Sequence, residues 1–125
     1  MSTGSAPAAS REDLLRVVEA WASDWSGQRV DAYLDRYSDD FRPANGISRA
    51  AWAARRRDRV SAPSRIDIDI SQFRVERSGP GSARVSFTQR YASESYQDRV
   101  AKQLDLVRGA DGRWRIRREV SLGAR

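Results

Sequence analysis

The fold is decided by one stretch of the chain, IDIDISQFRV at Ile66–Val75. Isoleucines alternate with aspartates over its first half, which is the pattern of a β-strand with one buried face and one solvated face. The apolar phase then slips, because the next candidates for burial are Phe73 and Val75. A slip without an intervening turn is typical of a β-bulge, and a bulge bends its strand. The stretch therefore predicts a curved sheet.

The same alternation recurs three times further along the chain, and it predicts strands at Val85–Tyr91, Val100–Leu106 and Trp114–Val120. In the last of these, Trp114, Ile116 and Val120 are expected on one face. Short turns at Ser78–Gly81 and Gly109–Gly112 favour antiparallel pairing. The polar segment 92–98 between the second and third strands is either a long connection or an extension of the strands.

Upstream of Ile66 the apolar period is that of a helix. The first helix is expected to start at Ser10, which with Asp13 forms an S-x-x-D capping signal, and to end at Gly27, a residue able to adopt a positive φ. Its buried stripe is Leu14, Val18, Trp21 and Trp25.

Two further helices are predicted before the sheet. The second begins near Asp31, and its helical spacing continues to Phe41. The third is capped by Ser48 and runs from Arg49 to about Val60. Helices followed by a run of strands predict an α+β domain in which three N-terminal helices pack on a curved antiparallel β-sheet and form a cone.

The length of 125 residues fits one domain, and we expect it to span residues 10–122 behind a flexible leader at residues 1–9. The leader has neither the basic nor the apolar part of a secretory signal. Two compartments are therefore considered. The protein is expected to be cytoplasmic as the chain is written, and periplasmic if the chain is excised from a larger envelope protein.

Composition excludes several kinds of chemistry. The chain has no cysteine and no histidine, which excludes disulfides, thiol nucleophiles and histidine bases and makes a zinc site improbable. No cofactor or metal is therefore expected. The net charge is +6, but Lys102 is the only lysine among 23 basic residues, and the arginines are interleaved with 17 acids. Only Arg55–Arg59 and Arg113–Arg118 form basic clusters, so nucleic-acid binding is the weakest of the functional hypotheses.

Several segments resemble the nuclear transport factor 2-like (SnoaL-like) superfamily. Val18–Trp25 and Asp31–Tyr37 are similar to the opening of such domains, and Phe41–Trp52 is similar to a narrower branch found at the C-terminus of bacterial L,D-transpeptidase-like and cell-shape carboxypeptidase proteins. Further similarity lies in Phe87–Ser93, Lys102–Leu106 and Gly112–Glu119. The resemblance implies a cone-shaped domain with a cavity between helices and sheet, often dimeric through the sheet. Some members of the superfamily are isomerases, dehydratases or cyclases, and many others are binding modules.

A catalytic member would need an inward carboxylate as base and a phenol as hydrogen-bond donor. Asp105 and Glu119 are the candidate bases, with Tyr33, Tyr37 or Tyr91 as donors. The alternative interpretation puts Asp105 on the solvated face and pairs Glu119 with Lys102 or an arginine.

Polar residues at apolar positions of the strands indicate either a buried hydrogen-bonded network or a polar ligand site. A buried Lys102 needs a partner, which Glu119 can supply either in the interior or as a salt bridge at the rim. Arg56, one turn after Trp52, can present a guanidinium to an anionic ligand. The full set of predicted pocket residues is Trp25, Tyr37, Trp52, Arg56, Gln89, Tyr91, Lys102 and Glu119.

The leading hypothesis is a non-catalytic ligand- or protein-binding module, homodimeric through the sheet, whose pocket takes a small molecule or a peptide segment and which is accessory to cell-envelope proteins. The alternative is a cofactor-free isomerase or cyclase that acts on a small apolar substrate.

Overall fold

The computed structural model describes residues 8–124, and the predicted α+β architecture is confirmed. The elements are α1 (Arg11–Ser26), α2 (Val30–Asp35), α3 (Arg49–Ser61), β1 (Ile66–Ser78), β2 (Ser82–Ser93), β3 (Gln97–Arg108) and β4 (Trp114–Ala124). Most of the predicted leader lies outside the described residues. Its last residue, Ala9, accepts a hydrogen bond from Ser78 Oγ at 2.7 Å.

Both predicted N-caps are confirmed, because Ser10 Oγ accepts from the Asp13 amide at 3.0 Å and Ser48 Oγ accepts from the Ala51 amide at 3.1 Å. The predicted end of the helix at Gly27 is confirmed, since α1 ends at Ser26 and Gly27 is its C-cap, but the positive φ expected there is not observed. Gly27 keeps a right-handed φ of −79°, and the next residue, Gln28, has a φ of 54°. Gln28 holds this conformation because its side-chain amide donates to the carbonyls of Val60 and Pro63, at the end of α3.

The second helix is shorter than its apolar spacing predicts. It ends at Asp35, and Tyr37 instead forms an isolated parallel bridge with Ile116. The Ser38 amide donates to the Ile116 carbonyl at 2.8 Å, and the Ile116 amide donates to the Arg36 carbonyl at 2.8 Å. Pairing with β4 has replaced the last helical turn.

The four strands form one antiparallel sheet in the order β1-β2-β3-β4. The predicted bulge in β1 is confirmed by a register shift between Ser71 and Arg74, and Gln72 within it has a φ of 55°. The sheet curves around the helices without closing. Segment 92–98 extends the strands, since Ala92 pairs with Gln97 across a short turn.

An irregularity in β4 between Ile116 and Arg118 decides which side chains face the helices. Ile116 pairs with Leu106, whereas Val120 pairs with Gln103, and the register shifts between them. The prediction that Val120 shares a face with Ile116 is therefore wrong. Glu119 takes the inward position instead.

The hydrophobic core fills the space between the helices and the concave side of the sheet, which we call the inner face. Its fully buried side chains include Trp21, Tyr33, Tyr37 and Leu104. Within residues 8–124, no helix has the length and apolar character that crossing a membrane requires.

Candidate binding site

An ion pair between β3 and β4 lies at the centre of the inner face. Lys102 Nζ donates to Glu119 Oε2 at 2.6 Å, and both side chains are at least 94% buried. Lys102 lies on the same buried face of β3 as Leu104 and Leu106. The irregularity of β4 turns Glu119 toward it. Of the two positions considered for this pair, the interior one is observed.

The second oxygen of Glu119 is also engaged. Tyr37 Oη donates to Glu119 Oε1 at 2.7 Å, and Tyr37 in turn accepts from Trp21 Nε1 at 3.0 Å. Tyr33 lies 3.1 Å from Tyr37 between their hydroxyls. We call Tyr33, Tyr37, Lys102 and Glu119 the interior network. Tyr33 lies on α2, Tyr37 on the bridge to Ile116, Lys102 on β3 and Glu119 on β4.

Arg56 of α3 lies against one side of this network. Its Nη1 donates to Tyr33 Oη at 3.3 Å, its Nη2 is 4.0 Å from Glu119 Oε1, and its guanidinium lies 5.7 Å from the centre of the Trp52 ring. The stack on Trp52, one turn earlier in the helix, orients the guanidinium toward the sheet.

Burial and the neighbouring charges together set the protonation states of Glu119, Tyr33 and Tyr37. Burial by itself raises the pKa of Glu119, but the attraction of Lys102 and Arg56 and the hydrogen bonds from Lys102 and Tyr37 outweigh burial and lower the pKa to about 2. Burial raises the pKa of Tyr33 to about 12. The same effect, with the negative charge of Glu119, holds the pKa of Tyr37 well above its ordinary value. At neutral pH the network contains a carboxylate and two neutral phenols.

Aromatic rings fill much of the space that a cone-shaped cavity would occupy. Trp25 packs 5.7 Å from Tyr33, and Tyr37 packs 4.5 Å from Trp52, between ring centres. Lys102 Nζ lies 5.7 Å from the centre of the Trp25 ring. The interior is therefore a packed core with a polar centre.

An open cavity of about 550 Å³ remains where the end of α3 faces the β2–β3 hairpin, and we call it the mouth pocket. Trp25 and Lys102 form its floor, and Tyr91 packs 5.7 Å from Trp25. Gln89 and Asp98 line the strand side. Each has an oxygen, Gln89 Oε1 and Asp98 Oδ1, that is buried and accepts no hydrogen bond from the described residues.

A second cavity of about 330 Å³ lies next to the mouth pocket, on the other side of Arg56. The two cavities share Arg56, Arg59 and Ser121. Trp52 and Glu119 line the second one, and Arg55 adds a further guanidinium.

The eight predicted side chains are distributed over these features. Those that line the mouth pocket are Trp25, Arg56, Gln89, Tyr91 and Lys102. Trp52 and Glu119 line the second cavity, and Tyr37 is buried in the network.

Sequence reasoning missed two charged residues of the mouth pocket, Asp98 and Arg59. Asp98 ends the polar segment 92–98, for which a long connection and a strand extension were both considered. It pairs with Tyr91 across the strands and lies an even number of residues from Lys102, which places it on the same face of β3. Arg59 was grouped with a basic cluster. It lies one turn after Arg56, and this spacing could have indicated that both reach the same cavity.

Asp105 and the second basic cluster, Arg113–Arg118, line neither of these two cavities. Asp105, considered above as a base, receives two hydrogen bonds from Arg84, the shorter at 2.7 Å, on the side away from the helices. In the second basic cluster, Arg113 pairs with Asp35 at 3.0 Å and Arg115 with Asp111 at 3.0 Å. Nearby acids therefore compensate much of this cluster.

The comparisons with known proteins agree on the fold. The family model of the Cds6 C-terminal NTF2-like domain matches residues 13–120. The structure of Bd1075 from Bdellovibrio bacteriovorus is similar with a TM-score of 0.77 and 26% identity, over 88% of this chain and 39% of that one. Pgp2 from Campylobacter jejuni, described as a helical cell shape determining protein, has a TM-score of 0.79 and 20% identity over 86% of this chain and 39% of its own.

A third similar structure is described as a putative scytalone dehydratase from Novosphingobium aromaticivorans, with a TM-score of 0.70 and 13% identity over 90% of this chain and 83% of that one. At this identity the likeness shows the fold alone. The chain spans about two fifths of Bd1075 and Pgp2. A search among proteins of curated function finds no match.

Proposed function

This chain belongs to the family of Cds6 C-terminal NTF2-like domains, and from that premise we propose that it is a non-catalytic binding domain whose ligand, a small molecule or a peptide segment, occupies the mouth pocket. The observation that carries the proposal is Gln89, a residue that lines an open cavity and whose buried Oε1 accepts no hydrogen bond from the described residues. Buried polar atoms without a partner are rare, and those at a cavity are natural contacts for a ligand.

The state of Glu119 supports binding over catalysis. A general base must reach the substrate proton directly or through one water, and it works best with a pKa near the working pH. Both oxygens of Glu119 accept hydrogen bonds, and its pKa is lowered to about 2. Asp105 is bound to Arg84 on the outer face. Neither carboxylate supports the isomerase or cyclase alternative.

We also propose that the domain is accessory to a larger cell-envelope protein and forms a homodimer through the outer face of the sheet. The first part is supported by the two longer relatives, one of which is described as determining cell shape. The second is supported by Leu122, which is 53% exposed at the end of β4 beside a cavity of about 530 Å³. Sedimentation velocity at tens of micromolar protein should give the mass of a dimer, and a monomeric mass would contradict it.

The binding proposal is tested by nitrogen–proton correlation NMR with a fragment set that contains amines, carboxylates, amides and aromatic rings. At millimolar concentration, at least one class should shift the Trp25 indole and the Tyr91 and Asp98 amides together. Ser95→Trp places a large ring at the rim of the pocket and should abolish those shifts. Ser71→Trp, an exposed position on β1, is the matched control and should leave them unchanged. Fragments that shift only outer-face residues would overturn the proposal.

A further inference from the structure

The mouth pocket has two walls of opposite electrostatic character. On the helix side, Arg56 and Arg59 of α3 present guanidinium groups. On the strand side lie Gln89 and Asp98, each with a buried oxygen that accepts no hydrogen bond from the described residues. The pocket is therefore dipolar, with a cationic side and an acceptor side within one cavity.

The acceptor side requires a hydrogen-bond donor. Gln89 is 4% exposed, and its Oε1 accepts no hydrogen bond from residues 8–124; the same holds for Asp98 Oδ1. Leaving a buried acceptor unsatisfied destabilises the protein, and more so when the acceptor is charged. Because Asp98 is an acceptor and carries a negative charge, the complementary ligand group is a cation with several N–H donors, such as an ammonium.

Aromatic rings support the same assignment. Tyr91 is directly opposite Asp98 across the strands, and Tyr96 lies 6.1 Å from Tyr91 between ring centres. Tyr96 Oη also donates to Asp98 Oδ2 at 3.1 Å, which holds the carboxylate in place, while Oδ1 has no partner among the described residues. A cation at Oδ1 would lie close to these rings, and a cation over a ring face is further attracted.

The cationic side has one guanidinium committed to the protein and one available. Arg56 is bound to Tyr33 and stacked on Trp52. Arg59 has no hydrogen-bond or ion-pair partner among the residues that the structure describes, and it lines both the mouth pocket and the second cavity. A guanidinium binds a carboxylate with two parallel hydrogen bonds, which makes a carboxylate the complementary group here.

We infer that the mouth pocket binds a zwitterion of the amino-acid or short-peptide class, with its ammonium at Asp98 and Gln89 and its carboxylate at Arg59. This inference rests on the proposed function, because it names the ligand of the same pocket. The volume of about 550 Å³ is within the range of about 300–1,000 Å³ that is usual for small-molecule sites.

The test uses alanine, dialanine and trialanine as probes in isothermal titration calorimetry. At least one of them should bind, and the series distinguishes a free amino acid from a peptide. For the probe that binds, the N-acetylated and C-amidated forms remove one charge each. Both should bind at least about tenfold more weakly, since each loses a charge-assisted hydrogen bond. Equal binding of the blocked forms would overturn the inference.

Two variants locate the ends of the ligand. Asp98→Asn should weaken binding of the free probe by about tenfold and make it insensitive to N-acetylation. Arg59→Gln should weaken it similarly and make it insensitive to C-amidation. Arg57→Gln is the matched control, because Arg57 is on the same helix and pairs with Asp31 outside both cavities. It should bind as the wild type does. A loss as large in Arg57→Gln would contradict the assignment of Arg59.

The two proposals fail in different ways. If no zwitterion binds while neutral or singly charged fragments still shift the Trp25 and Asp98 signals, the zwitterion inference is wrong and the binding domain stands. If neither zwitterions nor fragments shift those signals, both are wrong. Thermal unfolding of each variant, with a midpoint close to that of the wild type, establishes that a lost affinity is not a lost fold.

Discussion

Two groups of polar side chains lie on the inner face of the same sheet, and they differ in how completely their hydrogen bonds are made. In the interior network, Glu119 has a donor at each oxygen, and Tyr37 both donates and accepts. In the mouth pocket, Gln89 Oε1 and Asp98 Oδ1 accept nothing from the described residues. A closed set of hydrogen bonds stabilises the fold, and an open set is suited to recognition. The location of a buried polar residue therefore says less about its role than the number of its partners does.

The largest effect on stability is expected at Glu119, in the interior network. Glu119→Gln should reduce the free energy of unfolding by about 3–5 kcal/mol, because it leaves the Lys102 ammonium buried without a counter-charge. Urea denaturation at pH 7 measures the change. In the double variant Lys102→Met/Glu119→Gln most of the loss should be recovered, since the buried ammonium is removed together with its counter-charge and Arg56 keeps its hydrogen bond to Tyr33. A single variant that loses less than about 1 kcal/mol would show that the pair is not structural.

The same pair predicts a dependence of stability on pH. The pKa of Glu119 is lowered from its ordinary value of 4.5 to about 2 in the folded protein, so folding favours the ionised form. The resulting stabilisation, on the order of 3 kcal/mol, is complete above about pH 4.5 and is lost as the pH falls toward 2.

The double variant Lys102→Met/Glu119→Gln lacks this titrating group and serves as its control. Urea denaturation of both proteins at pH 7 and at pH 2.5 should show the smaller loss in the double variant. Equal losses would mean that other carboxylates account for the acid sensitivity.

In the mouth pocket the comparison predicts the opposite result. Gln89→Met keeps the length of the side chain and removes an acceptor that has no partner within the described residues, so the free energy of unfolding should stay within about 1 kcal/mol or rise. Denaturation under the conditions used for Glu119→Gln gives a direct comparison. A loss above about 2 kcal/mol would show that Gln89 belongs to the structural set and not to a binding site.

The sequence predicted the fold well because periodicity reports which face of an element is buried. The slip between Ile70 and Phe73 predicted the bulge and the curvature, and the resemblance of Phe41–Trp52 predicted the family that the comparisons show. The end of α2 was missed because Tyr37 has helical spacing, yet it pairs with Ile116, a contact 79 residues away that local propensity does not report. Val120 was misplaced for a similar reason, since nothing in its neighbourhood marks the irregularity of β4.

The site was predicted less completely than the fold. Lys102 and Glu119 could be paired from the sequence because an interior lysine needs a counter-charge. Which oxygens remain without partners depends on distances between α3, β2 and the β2–β3 hairpin, and only the structure supplies them. The positions of Asp98 and Arg59 in the mouth pocket were therefore found only in the structure.

The smallest effect is expected on the outer face, where charges are paired but solvated. Asp69 lies 3.2 Å from Arg90, and the two side chains are 69% and 46% exposed. Asp69→Asn should change the free energy of unfolding by less than about 1 kcal/mol, because water screens such a pair and replaces its hydrogen bonds. Denaturation in parallel with Glu119→Gln isolates the contribution of burial, since both variants remove one carboxylate from a cross-strand ion pair. A comparable loss in the two variants would mean that pairing, and not burial, sets the importance of Glu119.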